Sequence, residues 1–274
     1  MIVALRFIGL LMRIKILLLL ACGVVHAEPC WLDAPNRGAV PVDQLLVGAN
    51  ACGPAAMMNS FHTGAEKWRR VFRVMGGGND KERMAWMIRH VGMKSSNHLF
   101  ARPRWSGRGV GVEDLRDMAN ELLEKAYLPT LKADILFLDR GETAEQLLQR
   151  AHKRMRKSLA AGFPPILSVR RYALRKEGEK KAQWTVIEGH FVTLTRMPCK
   201  LQRGGRSYAV DYLDPWRGRH CLGVIEIPKL ESMVDSCGGA ACLEADFPSA
   251  MIGKNRIRRG EHTMVAVVAV IGDW

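Results

Sequence analysis

The texture of the chain changes once, at Pro164-Pro165. Before that point, apolar residues recur three and four apart, the spacing of helices that bury one face. After it they fall into short β-branched and aromatic runs, the signature of strands. A chain that is helical first and β-rich second predicts an α+β protein, a helical lobe facing a sheet lobe.

Several helices are expected in the first half. One opens at Cys52 and ends near His62-Thr63-Gly64, and another covers Ala65 to Met75. Asn79-x-x-Glu82 resembles a capping box, followed by Met84, Met87, Ile88 and Val91 on one face. Leu115, Met118, Ala119 and Leu122 mark a further helix. Ala144, Leu147, Leu148, Ala151, Met155 and Leu159 mark a longer one, stopped by Gly162 and Pro164. Residues 93–112, with Pro103, Gly107, Gly109 and Gly111, read as a long basic loop. Strands are expected at Ile166–Val169, Trp184–Thr195, Ser207–Leu213, Cys221–Ile227 and Met264–Ile271, with a turn over Arg175–Lys181. There is no repeat and no low-complexity segment.

The 274 residues are 48% hydrophobic and 25% charged, which excludes a disordered chain and suits one large domain. Arg6, Arg13 and Lys15 precede the apolar run Ile16–Ala21, and Val25-His26-Ala27 ends it. That pattern predicts a secretory signal peptide over residues 1–27, with the domain over 28–274 and a secreted or periplasmic location. Lipid attachment at Cys22, after Leu19-Leu20-Ala21, is the alternative. The net charge of +14 falls to +11 without residues 1–27, which hold three cations and no acid. Such a charge suits an anionic envelope polymer or a membrane surface. Export and the lack of interleaved stacking aromatics argue against nucleic acid.

No glycine-rich phosphate loop follows a strand, so no nucleotide cofactor is expected, nor any other. Cysteine and histidine lack zinc-finger spacing, so no metal is expected either. Beyond Cys22, six cysteines remain, and an exported chain can keep disulfides. Cys237 and Cys242 flank a flexible loop, and Cys199 and Cys221 bracket a hairpin. Those pairings are expected, with Cys30 left over.

Cys52 stands directly before Gly53-Pro54 and a run of helix formers. Proline favours the first helical turn, which places Cys52 at a helix N-terminus, one of the settings where a thiol ionises readily. A structural or disulfide-bonded cysteine is the plainer reading. His190 lies in Glu188-Gly189-His190-Phe191-Val192, where Gly189 leaves room for a substrate backbone. Glu188 and His190 point to the same side of their strand. Asp214 falls at the end of the next strand, before Pro215-Trp216. An antiparallel hairpin would put it about one cross-strand pair from His190. Singly, each has an ordinary reading. Together they form a nucleophile, a base and an orienting acid.

With their local sequences, these residues resemble the papain-like cysteine peptidases, nearest the bacteriocin-processing (C-39-like) branch. The resemblance rests on Asn50-Ala51-Cys52-Gly53-Pro54-Ala55-Ala56 with Asn59, Ala160-Ala161-Gly162-Phe163-Pro164-Pro165-Ile166, Gly189-His190-Phe191-Val192, and Asp211-Tyr212-Leu213-Asp214-Pro215. It spans about residues 40–227. It implies a papain-like fold, the nucleophile helix of an N-terminal lobe packed on a C-terminal antiparallel β lobe. It also implies Cys52 as nucleophile, His190 as general base and acid, and Asp214 orienting His190. The family places a glutamine before the nucleophile to build an oxyanion hole. Gln44 lies two residues further from Cys52 than the usual spacing, so the intervening loop bulges, Asn50 substitutes, or the hole is incomplete. The expected activity is a thiol hydrolase cleaving peptide or amide bonds. The alternatives are an inactive binding protein for an anionic envelope component, or an acyl-transferring relative.

Overall fold

The β-branched and aromatic runs after Pro165 form strands of a sheet that closes on itself. The computed structural model describes residues 30–176, 182–228 and 243–274, and the folded unit runs from Trp31 to Trp274. In chain order its strands are β1 (Trp31–Asp33), β2 (Trp105–Ser106), β3 (Gly109–Val110), β4 (Lys132–Ile135), β5 (Ile166–Arg175), β6 (Gln183–Pro198), β7 (Ser207–Asp214), β8 (Arg219–Glu226), β9 (Leu243–Asp246) and β10 (Thr263–Gly272). The order β6-β5-β10-β9-β8-β7 returns to β6, forming an antiparallel barrel. β1 extends it along β6 and β4 along β10. The protein is a mixed α+β fold.

Its helices are α1 (Cys52–Thr63), α2 (Glu66–Arg69), α3 (Asp80–Met87), α4 (Val112–Lys125) and α5 (Ala144–Ala160). The stretch expected as one helix from Ala65 to Met75 breaks into α2 and a 3-10 turn at Arg70–Arg73. At α3, Asn79 caps Glu82 N at 3.0 Å, but the Glu82 carboxylate accepts from Gly78 N at 2.7 Å and from the Asn79 side-chain amide at 2.8 Å, rather than from the Asn79 backbone N–H of a capping box. The basic loop 93–112 contains the β2–β3 hairpin.

Burial sorts the helices differently from sequence order. α1 is buried nearly all round, with Met57, Met58 and Phe61 fully enclosed, so it is a core helix rather than a surface one. It shares a cluster with α3, α4, Phe163, Phe191 and Ile271. α5 instead sends Leu147, Leu148, Ala151 and Met155 into the barrel core beside Val192, Leu194 and Tyr212. Its apolar stripe faces the sheet interior, so the last helix before Pro165 belongs with the strands. The two faces of β6 divide accordingly: Phe191 packs with the helices and Val192 in the barrel.

Two cysteine expectations change. Cys221 is a free thiol, so Cys199 does not pair with it, and Cys30 is disulfide-bonded rather than left over. Cys199 is also disulfide-bonded. Cys221 is opposite Tyr212 on β8, facing the barrel core, where the β7–β8 register holds it away from the loop that carries Cys199. The 1–27 segment with Cys22, most of the Arg175–Lys181 turn and the Cys237–Cys242 loop lie outside the described residues.

Candidate active site

Three elements meet where α1 begins. Cys52 is its first residue, and the N-cap, Ala51, carries no side-chain oxygen to cap the first turn. Gly53 lets the helix start approach its neighbours, because a Cβ there would lie 2.4 Å from Val110 Cγ1. Further along, buried Thr193 of β6 donates its hydroxyl to Ala56 O, 2.8 Å away. That bond joins α1 to the strand carrying His190.

His190 is 5% exposed and Asp214 is wholly buried. His190 Nε2 lies 2.8 Å from Asp214 Oδ1, and the ring and Cys52 line the same cleft. With Nε2 committed to Asp214, Nδ1 is the ring nitrogen left for Cys52. Burial pulls the His190 pKa down. Its hydrogen bonds and charge interactions with Asp214 and Cys52 overcome burial and push it up to about 10. The ring is therefore an imidazolium at neutral pH. Burial alone would raise the Asp214 pKa, but hydrogen bonds from His190 and Trp216 N and the Arg219 charge hold it below the ordinary carboxylate range. Cys52 is a free thiol.

Arg219 has no local sequence signal. Its Nη2 donates to Asp214 Oδ2 at 2.9 Å, and Trp216 N donates to Oδ1 at 2.9 Å. The Asp214 carboxylate is thus saturated on both oxygens, which fixes its orientation toward His190.

Gln44 and Asn50 occupy different settings. Residues 44–48 wind into a tight turn, with Val47 N and Gly48 N both donating to Gln44 O. Gln44 lines the same cleft as Cys52. One of its amide hydrogens serves Ala49 O, leaving the other without a partner among the described residues. Two anchors hold this segment. Buried Asn59 of α1 accepts from Val42 N at 2.6 Å, and Gln44 N donates to Pro215 O at 2.8 Å, next to Asp214. The Asn50 side chain instead donates to Gly107 O, and its carbonyl accepts from Trp105 Nε1 at 3.2 Å. Asn50 therefore clamps the β2–β3 hairpin beside the cleft.

The cleft encloses about 360 Å³, and both Cys52 and His190 line it. Val186–Gly189 of β6 form one wall and the Gly107–Gly109 turn the other, with Met251 and Arg256 at the rim. A Cβ on Gly189 would meet nothing within 4 Å, so that backbone is open to a ligand. Chemically, a carboxylate-held histidine beside a free cysteine sulfur, with an unused amide donor in the same cleft, can support nucleophilic attack on a carbonyl. Compared with protein-family models and with curated proteins, the chain matches none.

Proposed function

We propose that this chain is an exported papain-like cysteine peptidase of the C-39-like type, acting on peptide or protein substrates at peptide or amide bonds. The observation that carries the reading is the buried His190–Asp214 hydrogen bond of 2.8 Å in the cleft that the free Cys52, at the head of α1, also lines. A helix start packed on a barrel strand that supplies the histidine agrees with a papain-like arrangement.

The Cys52 thiolate adds to the scissile carbonyl. The oxyanion is met by the Cys52 backbone N–H and the unused Gln44 amide hydrogen, donors whose strength counts most in the transition state. His190 gives its proton to the leaving amine as the C–N bond breaks, leaving a thioester on Cys52. It then takes a proton from water, whose oxygen attacks the thioester. The acid departs, and sulfur and imidazole return to their starting state. A free Cys52 supports a hydrolase over an inactive binding protein. The excess of positive charge would draw the enzyme to an anionic envelope polymer or membrane surface.

The test is iodoacetamide labelling near neutral pH with mass mapping, alongside hydrolysis of a peptide mixture. Cys52 is expected to label well ahead of Cys221, and Cys52→Ala to abolish hydrolysis. Equal labelling of the two thiols, or turnover surviving in the alanine variant, would overturn the reading.

A further inference from the structure

The two walls of the cleft are unequal in charge. On the β6 wall, Glu188 is already paired: Arg256 Nε lies 3.3 Å from Glu188 Oε2, and Arg256 Nη1 is 3.3 Å from Ile187 O. That pair is locally neutral. On the opposite wall stands Arg108, whose guanidinium has no hydrogen bond or ion pair among the described residues. Arg108 is exposed, but the turn that carries it is tethered. Its turn is held by Asn50 through Gly107 O, and Trp105 of the same hairpin donates to Asn50 O. Asn50 is two residues from Cys52, so the turn carrying Arg108 is fixed to the segment that leads into α1, and Arg108 and Cys52 line one cleft. The cleft thus holds an unpaired cation and no unpaired carboxylate among its described lining residues.

A second feature points to an extended chain as the ligand. β6 pairs with β5 from Gln183 to Thr193, but its other edge meets β7 only from Thr193 to Arg196. Around Val186–Gly189 that edge meets no strand among the described residues, only the Arg256 side chain at Ile187 O, and it lines the cleft. An exposed strand edge takes up a peptide main chain, while nearby pockets read its side chains.

Resting on the hydrolase reading above, we infer that the cleft selects peptides carrying an acidic side chain close to the scissile bond, with Arg108 as the residue that reads the carboxylate. A guanidinium recognises a carboxylate through parallel N–H donors, which an amide of the same shape cannot match in charge. Glu188, held by Arg256, stays out of competition for Arg108.

The experiment uses the wild-type chain and pentapeptides identical except for Glu, Gln or Lys at each position in turn. Two rates are read: hydrolysis, and protection of Cys52 from iodoacetamide. The Glu peptide is expected to exceed the Gln peptide in kcat/KM by about tenfold or more, the scale of one charge-assisted hydrogen bond. It should also protect Cys52 at lower concentration, and the advantage should shrink with added salt. Arg108→Gln should bring the Glu-to-Gln ratio to about one, and Arg108→Glu should turn the preference toward Lys. Hydrolysis or protection that is indifferent to charge at every position would overturn this inference and leave the peptidase standing. So would an acid preference that persists in Arg108→Glu. If Cys52 labels no faster than Cys221 and no peptide is cut, the peptidase falls and the selectivity with it.

Discussion

One nitrogen of Arg219 serves two masters: Nη2 donates to Asp214 Oδ2 at 2.9 Å and to Ser249 O at 2.9 Å. Ser249 begins the segment that carries Met251 and Arg256 to the cleft rim. The carboxylate that orients His190 and the rim of the cleft therefore share a guanidinium. Arg219→Gln is expected to cost about 1–3 kcal/mol of stability by leaving a buried carboxylate one donor short. It should also lower kcat through a freer Asp214 and raise KM through a freer rim. Chemical denaturation and steady-state kinetics check both, and an unchanged KM would detach Ser249 from the account.

Gln44 and Asn50 predict opposite kinetic signatures. Gln44→Ala removes the unused amide donor and should lower kcat by about 10²- to 10³-fold, the measured scale for a lost oxyanion donor. KM should hold, and Cys52 should still alkylate. Asn50→Ala frees the hairpin that carries Arg108, so its main effect should be on KM. Comparing the two variants on one substrate separates an oxyanion role from a clamp.

Protonation sets both the activity and the stability window. With its pKa near 10, His190 stays an imidazolium through neutral pH, so the alkaline limb of kcat/KM should fall around that value. Asp214→Asn removes one of the groups raising it, and the limb should move to lower pH. The raised pKa of His190 adds stability that is complete below its ordinary 6.5 and lost as pH climbs toward 10. The lowered pKa of Asp214 adds stability that is complete above its ordinary 3.8 and lost as pH falls through the lower folded value. Both contributions are complete between 3.8 and 6.5, where urea midpoints should be highest for this pair.

Gly218 ends the turn that joins Asp214 to β8. It has φ +55°, and a Cβ there would stand 2.8 Å from Pro41 O. That contact lies three residues from Gln44, and Arg217 N donates to Asp43 Oδ1 at 3.0 Å alongside. Gly218→Ala should therefore cost more than the roughly 1–2 kcal/mol of left-handed backbone alone. The added displacement of the Gln44 segment should lower kcat as well. A loss of stability with kcat intact would show that the Gln44 turn tolerates the push.

Much of this architecture is written locally. The 3.6 period, the β-branched runs, the proline stop at 164–165 and the Gly-Pro start after Cys52 gave most helices and strands near their observed limits, though the Ala65–Met75 helix breaks and the strand expected over Ile166–Val169 runs on to Arg175. They also drew attention to Cys52, His190 and Asp214, because each stands at a recognisable punctuation mark: a helix start, a glycine in a strand, a strand end. What only the tertiary structure decided depends on which strand meets which. The β6–β7 pairing closes the barrel, the inward turn of α5 assigns that helix to the barrel core, and the β7–β8 register buries Cys221 as a free thiol. The same folding brings Arg219 to Ser249 and Arg108 into the cleft that Cys52 lines. No local pattern encodes such meetings, because they join residues tens of positions apart and arise from the register and twist of a closed sheet.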